Sequence, residues 1–275
     1  MLFDILSLDF AQRALFVGMM AGVVAGILGS YVVAGRHAVF SDMLAHTSLA
    51  GVGIGLFFNI SPLGGALIIA CISAYLLWLF SRQKDITSES ITMVFLSGGL
   101  ALALLFAHFA KDNPLSLETF LFGSILTVRP EEVWYFALAS VGILLFLTFF
   151  GGKLKTIVLD PVYAESRFRS SKWIELGFLL SMAILVGLSL KVVGGLLIGA
   201  LLVIPVVISQ MFCGSFRLVM FWSVIWNIIA IILGIALSFW LDVPTGSAIV
   251  LTLIGELFLF VLTRAVIRFL QRISL

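Results

Sequence analysis

The chain has 275 residues, of which 62% are hydrophobic and 11% are charged, and its mean hydropathy is +1.23. A soluble domain carries roughly 25% charged residues, so this composition excludes a water-soluble globular fold. The net charge of +2 gives no basis for binding nucleic acid. Apolar stretches of roughly 18 or more residues recur, each able to cross a bilayer as a helix. They do not show the short alternating segments of a β-barrel. We therefore predict an all-α, polytopic membrane protein with a single domain over residues 1–275.

In chain order, the apolar stretches predict nine membrane-spanning helices. Their expected ranges are 13–35, 40–58, 62–80, 91–110, 131–150, 173–190, 193–212, 217–240 and 246–268. A further apolar stretch, residues 115–129, is too short to cross and could form a re-entrant half-helix. The longest polar connection, residues 151–172, is predicted to be a cytoplasmic loop.

Lysine and arginine residues are divided unevenly between the two sides of this topology. Twelve of the 16 fall on one side, and the other four are Arg13, Lys111, Arg129 and Lys191. Cytoplasmic loops are enriched in lysine and arginine, so the C-terminus should be cytoplasmic and the N-terminus outside. A crossing at 115–129 would invert the first four spans and remove this asymmetry.

Glycines recur at helical spacing in two of the predicted spans. Gly18, Gly22 and Gly26 form a G-x-x-x-G-x-x-x-G face in the first span, and Gly195 and Gly199 form a similar pair in the seventh. Small residues allow helices to approach closely in lipid. The pattern predicts close packing within the subunit, with dimerisation through one of these faces as the alternative.

The segment SDMLAHTSLAG, residues 41–51, carries an ionisable pair inside the second predicted span. Asp42 and His46 are four positions apart, so they share one helix face. A charged residue at the bilayer centre costs roughly 2.5–3.5 kcal/mol on insertion scales and usually faces the interior of the bundle. One carboxylate oxygen and one imidazole nitrogen suit a borderline divalent cation and leave coordination positions open. The pair predicts a metal site on a transport path, while the alternative for Asp42 alone is an N-cap.

Two other polar residues fall within predicted spans. Glu256 lies near the middle of the last span, where it must be neutral or paired, and it could contribute to the pathway or its proton balance. Asn227 is expected to form a hydrogen bond between helices.

Nucleotide-binding and hydrolytic motifs are missing from the sequence. It contains no G-x-x-x-x-G-K-[ST] loop and no H-E-x-x-H, so we do not expect an enzyme. If transport uses ATP, the ATPase is a separate polypeptide. The predicted loop 151–172 would be its natural contact, and Asp160-Pro161 could start a short helix there.

Four segments together resemble the membrane permease of bacterial ABC importers for zinc and manganese, most closely the zinc-uptake type. They are GRHAVFSDMLAHTSLAGVGIG (35–55), FLFGSILTVRPEEV (120–133), KVVGGLLIGALLVIPVVIS (191–209) and LDVPTGSAIVL (241–251). Their order and spacing match the family across nearly the full chain.

The resemblance implies a homodimer in the bacterial cytoplasmic (inner) membrane, with the pathway at its two-fold axis. Two copies of a separate ATPase would bind below, and an extracytoplasmic metal-binding protein would deliver the ion. No cofactor would be permanently bound. The family's aspartate and histidine fall on Asp42 and His46, as candidate ligands of the transported zinc, manganese or iron. Pro205 falls on the family's kinked seventh-span segment, where proline bends a helix.

The resemblance also places the ATPase contact in the segment around 160. Its expected residues are Asp160, Pro161, Ala164, Arg167 and Arg169. Phe168 stands where the family usually has glycine, which leaves the detail of this contact open.

Two alternatives remain from the residues. One oxygen and one nitrogen ligand suit zinc, manganese and iron, so the same machine could carry any of them, with zinc as the first expectation. A protein of another class, a proton-driven secondary transporter using Glu256 or Asp42 as a relay, would need no ATPase.

Overall fold

The computed structural model describes residues 9–83, 87–110, 117–123, 129–191, 193–195 and 197–273, and the described residues form helices and turns without strands. The helices are α1 (Asp9–Ala34), α2 (Ala38–Phe57), α3 (Pro62–Phe80), α4 (Ser88–Phe109), α5 (Leu117–Phe122), α6 (Pro130–Leu159), α7 (Pro161–Arg167), α8 (Ser171–Ser189), α9 (Ile198–Gln210), α10 (Phe216–Leu241) and α11 (Thr245–Ile273).

Among the described residues, eight helices are long and apolar enough to cross a membrane, namely α1, α2, α3, α4, α6, α8, α10 and α11. The ninth apolar helix, α9, has only 13 residues, which is about 20 Å at 1.5 Å per residue. The prediction of an all-α, polytopic bundle is therefore confirmed.

Side-chain caps mark several helix starts. The hydroxyls of Ser61 and Thr87 accept hydrogen bonds from backbone N–H groups at the starts of α3 and α4, both at 3.2 Å. Ser215 does the same for α10 at 3.4 Å. Such caps satisfy N–H groups that have no partner within the helix, so the polar residues between the apolar stretches set where these helices begin.

The prediction of one long loop over 151–172 was wrong. α6 continues to Leu159, and only Asp160 separates it from α7. Leu154 and Ile157 are buried, while Lys153 and Lys155 are exposed. Residues 151–159 therefore form an amphipathic end of α6, whose charges made it resemble a linker.

The predicted start of the seventh span was also wrong. The span was expected at 193–212, but α9 begins at Ile198, so Gly195 lies in the turn before it and shares no helix face with Gly199. Gly194 has a φ of 97°, which glycine adopts without steric cost. The backbone N–H of Gly195 donates to the carbonyl of Phe120 at 2.9 Å, which joins this turn to α5 instead of extending the helix.

The predicted re-entrant segment, 115–129, is described only in part. Residues 117–122 form the six-residue helix α5, in which Phe120 is buried. Residues 111–116 and 124–128 lie outside the described residues, so the expectation of a re-entrant half-helix stays a prediction.

The glycines of α1 lie against α10. A Cβ on Gly26 would be 2.8 Å from the backbone nitrogen of Val224, and one on Gly18 would be 3.1 Å from Ile231 Cγ2. A Cβ on Gly22 would be 2.6 Å from Ile231 Cδ1. α1 and α10 thus pack closely along this face, against the Val224 backbone at Gly26 and against the Ile231 side chain at Gly18 and Gly22.

Candidate functional site

Asp42 and His46 both lie in the first half of α2. The helix begins at Ala38, its N-cap is His37, and Ser41 donates within the helix to the carbonyl of Ala38 at 2.6 Å. The alternative that Asp42 is an N-cap was therefore wrong, because a full helical turn precedes it. Asp42 is exposed in the single subunit, whereas the three residues that follow it are buried.

The carboxylate of Asp42 points toward the start of α9. Gly199 lies so close that a Cβ added there would overlap Asp42 Oδ1, and it would lie 3.5 Å from Ser41 Oγ. Gly199 therefore provides the space that the carboxylate occupies.

The backbone at His46 packs against α4. A Cβ on Gly99 would lie 3.0 Å from the carbonyl carbon of His46 and 2.8 Å from the nitrogen of Thr47, so the backbones of α2 and α4 nearly touch. The imidazole Nδ1 is buried and has no hydrogen-bond partner among the described residues. A buried nitrogen of this kind usually has a partner, and a cation is one species that could take its lone pair.

The described residues contain no group of three or more His, Cys, Asp or Glu side chains that could hold a metal ion. The pair therefore supplies at most two side-chain ligands from one subunit. Glu256 does not join them in such a group.

Glu256 lies on the face of α11 that packs against α10. One turn before it, Thr252 donates to the carbonyl of Ala230 at 3.1 Å. One turn after it, the ring of Phe260 lies 6.4 Å from that of Trp226. Glu256 is only 8% exposed, and neither carboxylate oxygen has a hydrogen-bond partner among the described residues.

Pro205 lies inside α9 and has no N–H to donate to the carbonyl of Leu201, four residues earlier. Asn227 of α10 replaces that donor: its Nδ2 donates to the Leu201 carbonyl at 3.1 Å and to the Gly22 carbonyl at 3.0 Å. The expected hydrogen bond between helices is confirmed, and it joins α1, α9 and α10.

The residues expected to meet an ATPase cluster on and beside α7. The Asp160 carboxylate accepts from the Tyr163 N–H at 2.9 Å, Pro161 is the first residue of the helix, and Ala164 is buried against the rest of the protein. Arg167 and Arg169 are exposed. Phe168 has an extended φ of −121°, so no glycine is required there.

The ion pairs of two basic residues, Lys191 and Arg82, were not foreseen from the sequence. Lys191 Nζ lies 2.7 Å from Glu132 Oε1, and the two side chains are only 14% and 19% exposed. Arg82 contacts Glu175 at 2.7 Å and Glu165 at 3.8 Å. The partners are 59 or more residues apart, so sequence spacing carried no signal of either pairing.

Known proteins of similar sequence include membrane subunits of metal transport systems. The high-affinity zinc uptake system membrane protein ZnuB of Haemophilus influenzae is 27% identical over 251 residues, covering 91% of this chain and 95% of its own. The manganese import system permease protein ScaB of Streptococcus parasanguinis is 27% identical over 243 residues, covering 88% of this chain and 86% of its own.

A solved structure, PsaBC from Streptococcus pneumoniae in complex with Fab, has the same fold. Its TM-score is 0.82 at 23% identity, and 94% of each chain is covered. A family model described as the ABC 3 transport family matches residues 7–265. The chain therefore belongs to the ABC-3 family of transport proteins, as a metal ABC transporter permease.

Proposed function

We propose that the chain is the membrane subunit of an ATP-driven importer for a divalent transition metal ion, with zinc as the first candidate, and that Asp42 and His46 bind the ion on its path. The observation that carries this proposal is the arrangement of the pair. An exposed carboxylate and an imidazole with a free buried nitrogen share one face of α2, beside a glycine that leaves room for the carboxylate.

Two copies of the chain would complete the site. One subunit offers one carboxylate and one imidazole, while zinc usually takes four ligands in all, some of which are water at open sites. Two pairs related by a two-fold axis would supply four side-chain ligands. The exposure of Asp42 in the single subunit supports this proposal, because such a surface is available to a second copy.

ATP hydrolysis would occur on a separate ATPase, present in two copies and bound at α7. Arg167 at the end of this short helix and Arg169 just after it are exposed, whereas Ala164 within the helix is buried, so the helix has a free outer face and a fixed inner face. An extracytoplasmic binding protein would deliver the ion on the opposite side. The C-terminus would then be in the cytoplasm, as the lysine and arginine distribution predicts.

The choice of zinc rests on chemistry and resemblance. The zinc and manganese relatives are both 27% identical to this chain, so identity favours neither ion. One imidazole nitrogen for each carboxylate oxygen is a more nitrogen-rich set than manganese prefers, since manganese favours oxygen ligands. Competition between the two ions in the uptake assay would decide.

The test is uptake of radioactive zinc by proteoliposomes that contain the chain, its ATPase and its binding protein. We expect Asp42→Asn and His46→Gln each to reduce uptake roughly tenfold or more, since even changes to the partners of metal ligands cost about 10–100-fold in affinity. Matched controls are Asp242→Asn and His108→Gln, which change the same residue types at exposed positions. Wild-type uptake by both site variants would remove the pair from the mechanism.

A second candidate is a proton-driven secondary transporter, and the observation that favours it is the unpartnered, buried carboxyl of Glu256. Intramembrane carboxyl groups often act in proton relays. The test uses the same proteoliposomes with a pH gradient and no ATP. Metal uptake under these conditions that is lost in Glu256→Gln would support this candidate and contradict the first.

A further inference from the structure

Arg82 lies in the turn directly after α3 and contacts three parts of the protein. Its Nη2 donates to Glu175 Oε2 of α8 at 2.7 Å, and its Nη1 lies 3.8 Å from Glu165 Oε1 of α7. Its guanidinium carbon is 4.6 Å from the ring centroid of Trp78, on the last turn of α3. One side chain therefore joins α3, α7 and α8.

Aromatic packing reinforces this junction. The rings of Trp78 and Trp173 are stacked with their centroids 6.1 Å apart, so α3 and the start of α8 are held together on one side of Arg82. A guanidinium over an indole is attracted to the face of the ring by a cation–π interaction. The Arg82 side chain is 26% exposed, and that of Glu165 is 58% exposed. Among these contacts of Arg82, the one with Glu165 is to α7.

At its other end from Arg82, α3 contacts the helix that carries Asp42 and His46. A Cβ on Gly51 of α2 would lie 2.7 Å from the carbonyl carbon of Gly65 in α3, and a Cβ on Gly65 would lie 3.2 Å from that of Gly51. The two backbones are therefore in contact with no side chain between them. Side-chain rotation at this crossing therefore cannot take up a displacement of α3 relative to α2.

We propose that Arg82 is the positioning residue that transmits movement of α7 to α3, and through the Gly51–Gly65 crossing to the metal-binding helix α2. This inference rests on the proposed function, in which the ATPase acts on α7. When the ATPase displaces α7, Glu165 pulls Arg82, which is fixed to the end of α3 by Trp78. The contact with Glu175 keeps the guanidinium oriented toward α7.

The experiment measures metal ions transported per ATP hydrolysed, in proteoliposomes of the full complex. The variants are Arg82→Gln, Glu165→Gln and the double variant, with Arg82→Lys as the conservative replacement. The matched control is Arg217→Gln, which removes an exposed arginine at the start of α10. ATP hydrolysis and co-purification of the ATPase are measured for each variant.

We expect Arg82→Gln to retain ATP hydrolysis while the number of metal ions transported per ATP falls about threefold. An effect of this size is what the loss of a partly exposed ion pair can cause. Glu165→Gln should lower the ratio similarly, the double variant should be no worse than Arg82→Gln, and Arg82→Lys should recover part of the loss. A purely structural role would lower assembly and hydrolysis together and would not change the ratio.

This inference would be overturned, while the proposed function stands, if Arg82→Gln left the transport ratio unchanged. Fully additive effects of Arg82→Gln and Glu165→Gln on that ratio would overturn it as well. A wild-type complex that takes up no metal with ATP would overturn the proposed function, and this inference with it.

Discussion

Gly199 at the start of α9 lies directly against the carboxylate of Asp42 in α2, and a Cβ at that position would overlap Asp42 Oδ1. The carboxylate therefore occupies space that only glycine leaves free. This contact connects the candidate metal site to the helix that contains Pro205.

The first prediction concerns this contact. Gly199→Ala should move the Asp42 carboxylate away from its position beside His46 and reduce metal uptake by roughly tenfold, since misplacing a reacting group by about 1 Å can cost 100-fold. The measurement is zinc uptake at several zinc concentrations. Gly142→Ala is the control, because a Cβ there has no atom within 4 Å. Equal uptake by the two variants would show that the contact is irrelevant to transport.

The second prediction concerns the Lys191–Glu132 ion pair. Lys191→Met would leave the mostly buried Glu132 without its cation. We expect a loss of about 2 kcal/mol in the free energy of unfolding, less than the roughly 3–5 kcal/mol for a fully buried pair because some water reaches these side chains. The loss in the free energy of unfolding is measured by denaturant unfolding in detergent. Adding Glu132→Gln should recover most of the loss, and a double variant as unstable as the single one would contradict this explanation.

A third prediction follows from the substitute hydrogen bond at the proline. Asn227→Ala removes the donor to the carbonyl of Leu201, and a buried group without a partner costs about 1–3 kcal/mol. The Gly22 carbonyl keeps its hydrogen bond within α1. Pro205→Ala restores an N–H that can donate to Leu201. Asn227→Ala should therefore be less destabilising in the Pro205→Ala background, as thermal unfolding of all four proteins would show. Simple additivity would mean that Asn227 does not act through the Leu201 carbonyl.

The fourth prediction is a pH dependence of stability that arises at His37, in the turn between α1 and α2. Burial lowers the pKa of His37 below its ordinary value of 6.5, and its ring stacks on Phe40 with centroids 4.8 Å apart. As pH falls below 6.5, the unfolded chain takes up this proton before the folded protein does, so the free energy of unfolding should decrease until the folded pKa is reached.

Thermal unfolding at pH about 7.5 and about 5.5 measures the effect of His37. His37→Gln should show a smaller loss between the two pH values than the wild type. His108→Gln, which changes an exposed histidine, should behave like the wild type. If His37→Gln and the wild type lose the same amount, the loss comes from other groups.

Hydropathy predicted the long helices well, because a continuous apolar stretch of span length has few other stable conformations in lipid. It failed at 151–159, where Lys153 and Lys155 lowered the local hydropathy although Leu154 and Ile157 keep the helical spacing. It failed again at 193–197, where Gly194 and the hydrogen bond from Gly195 to Phe120 hold a turn. That bond depends on a segment about 75 residues earlier, so no local pattern could reveal it.

The candidate site was partly predictable for a similar reason. Asp42 and His46 were identified from their spacing, because helical geometry alone places them on one face. The role of Gly199 required α9 to be placed beside α2, and the partners of Arg82 required three elements to be assembled. Contacts within one helix can be read from spacing, whereas contacts between helices depend on the tertiary arrangement.

The short length of α9 has an electrostatic consequence for the ion. At about 20 Å it is shorter than a hydrocarbon layer of roughly 30 Å, so at least one of its ends lies below the headgroups, where water screens poorly. Its first turn begins at Ile198, and Gly199 in that turn lies against the Asp42 carboxylate. The positive end of a helix dipole attracts anions and repels cations. Metal held at Asp42 would therefore be bound against an opposing field, which weakens retention and favours its onward release.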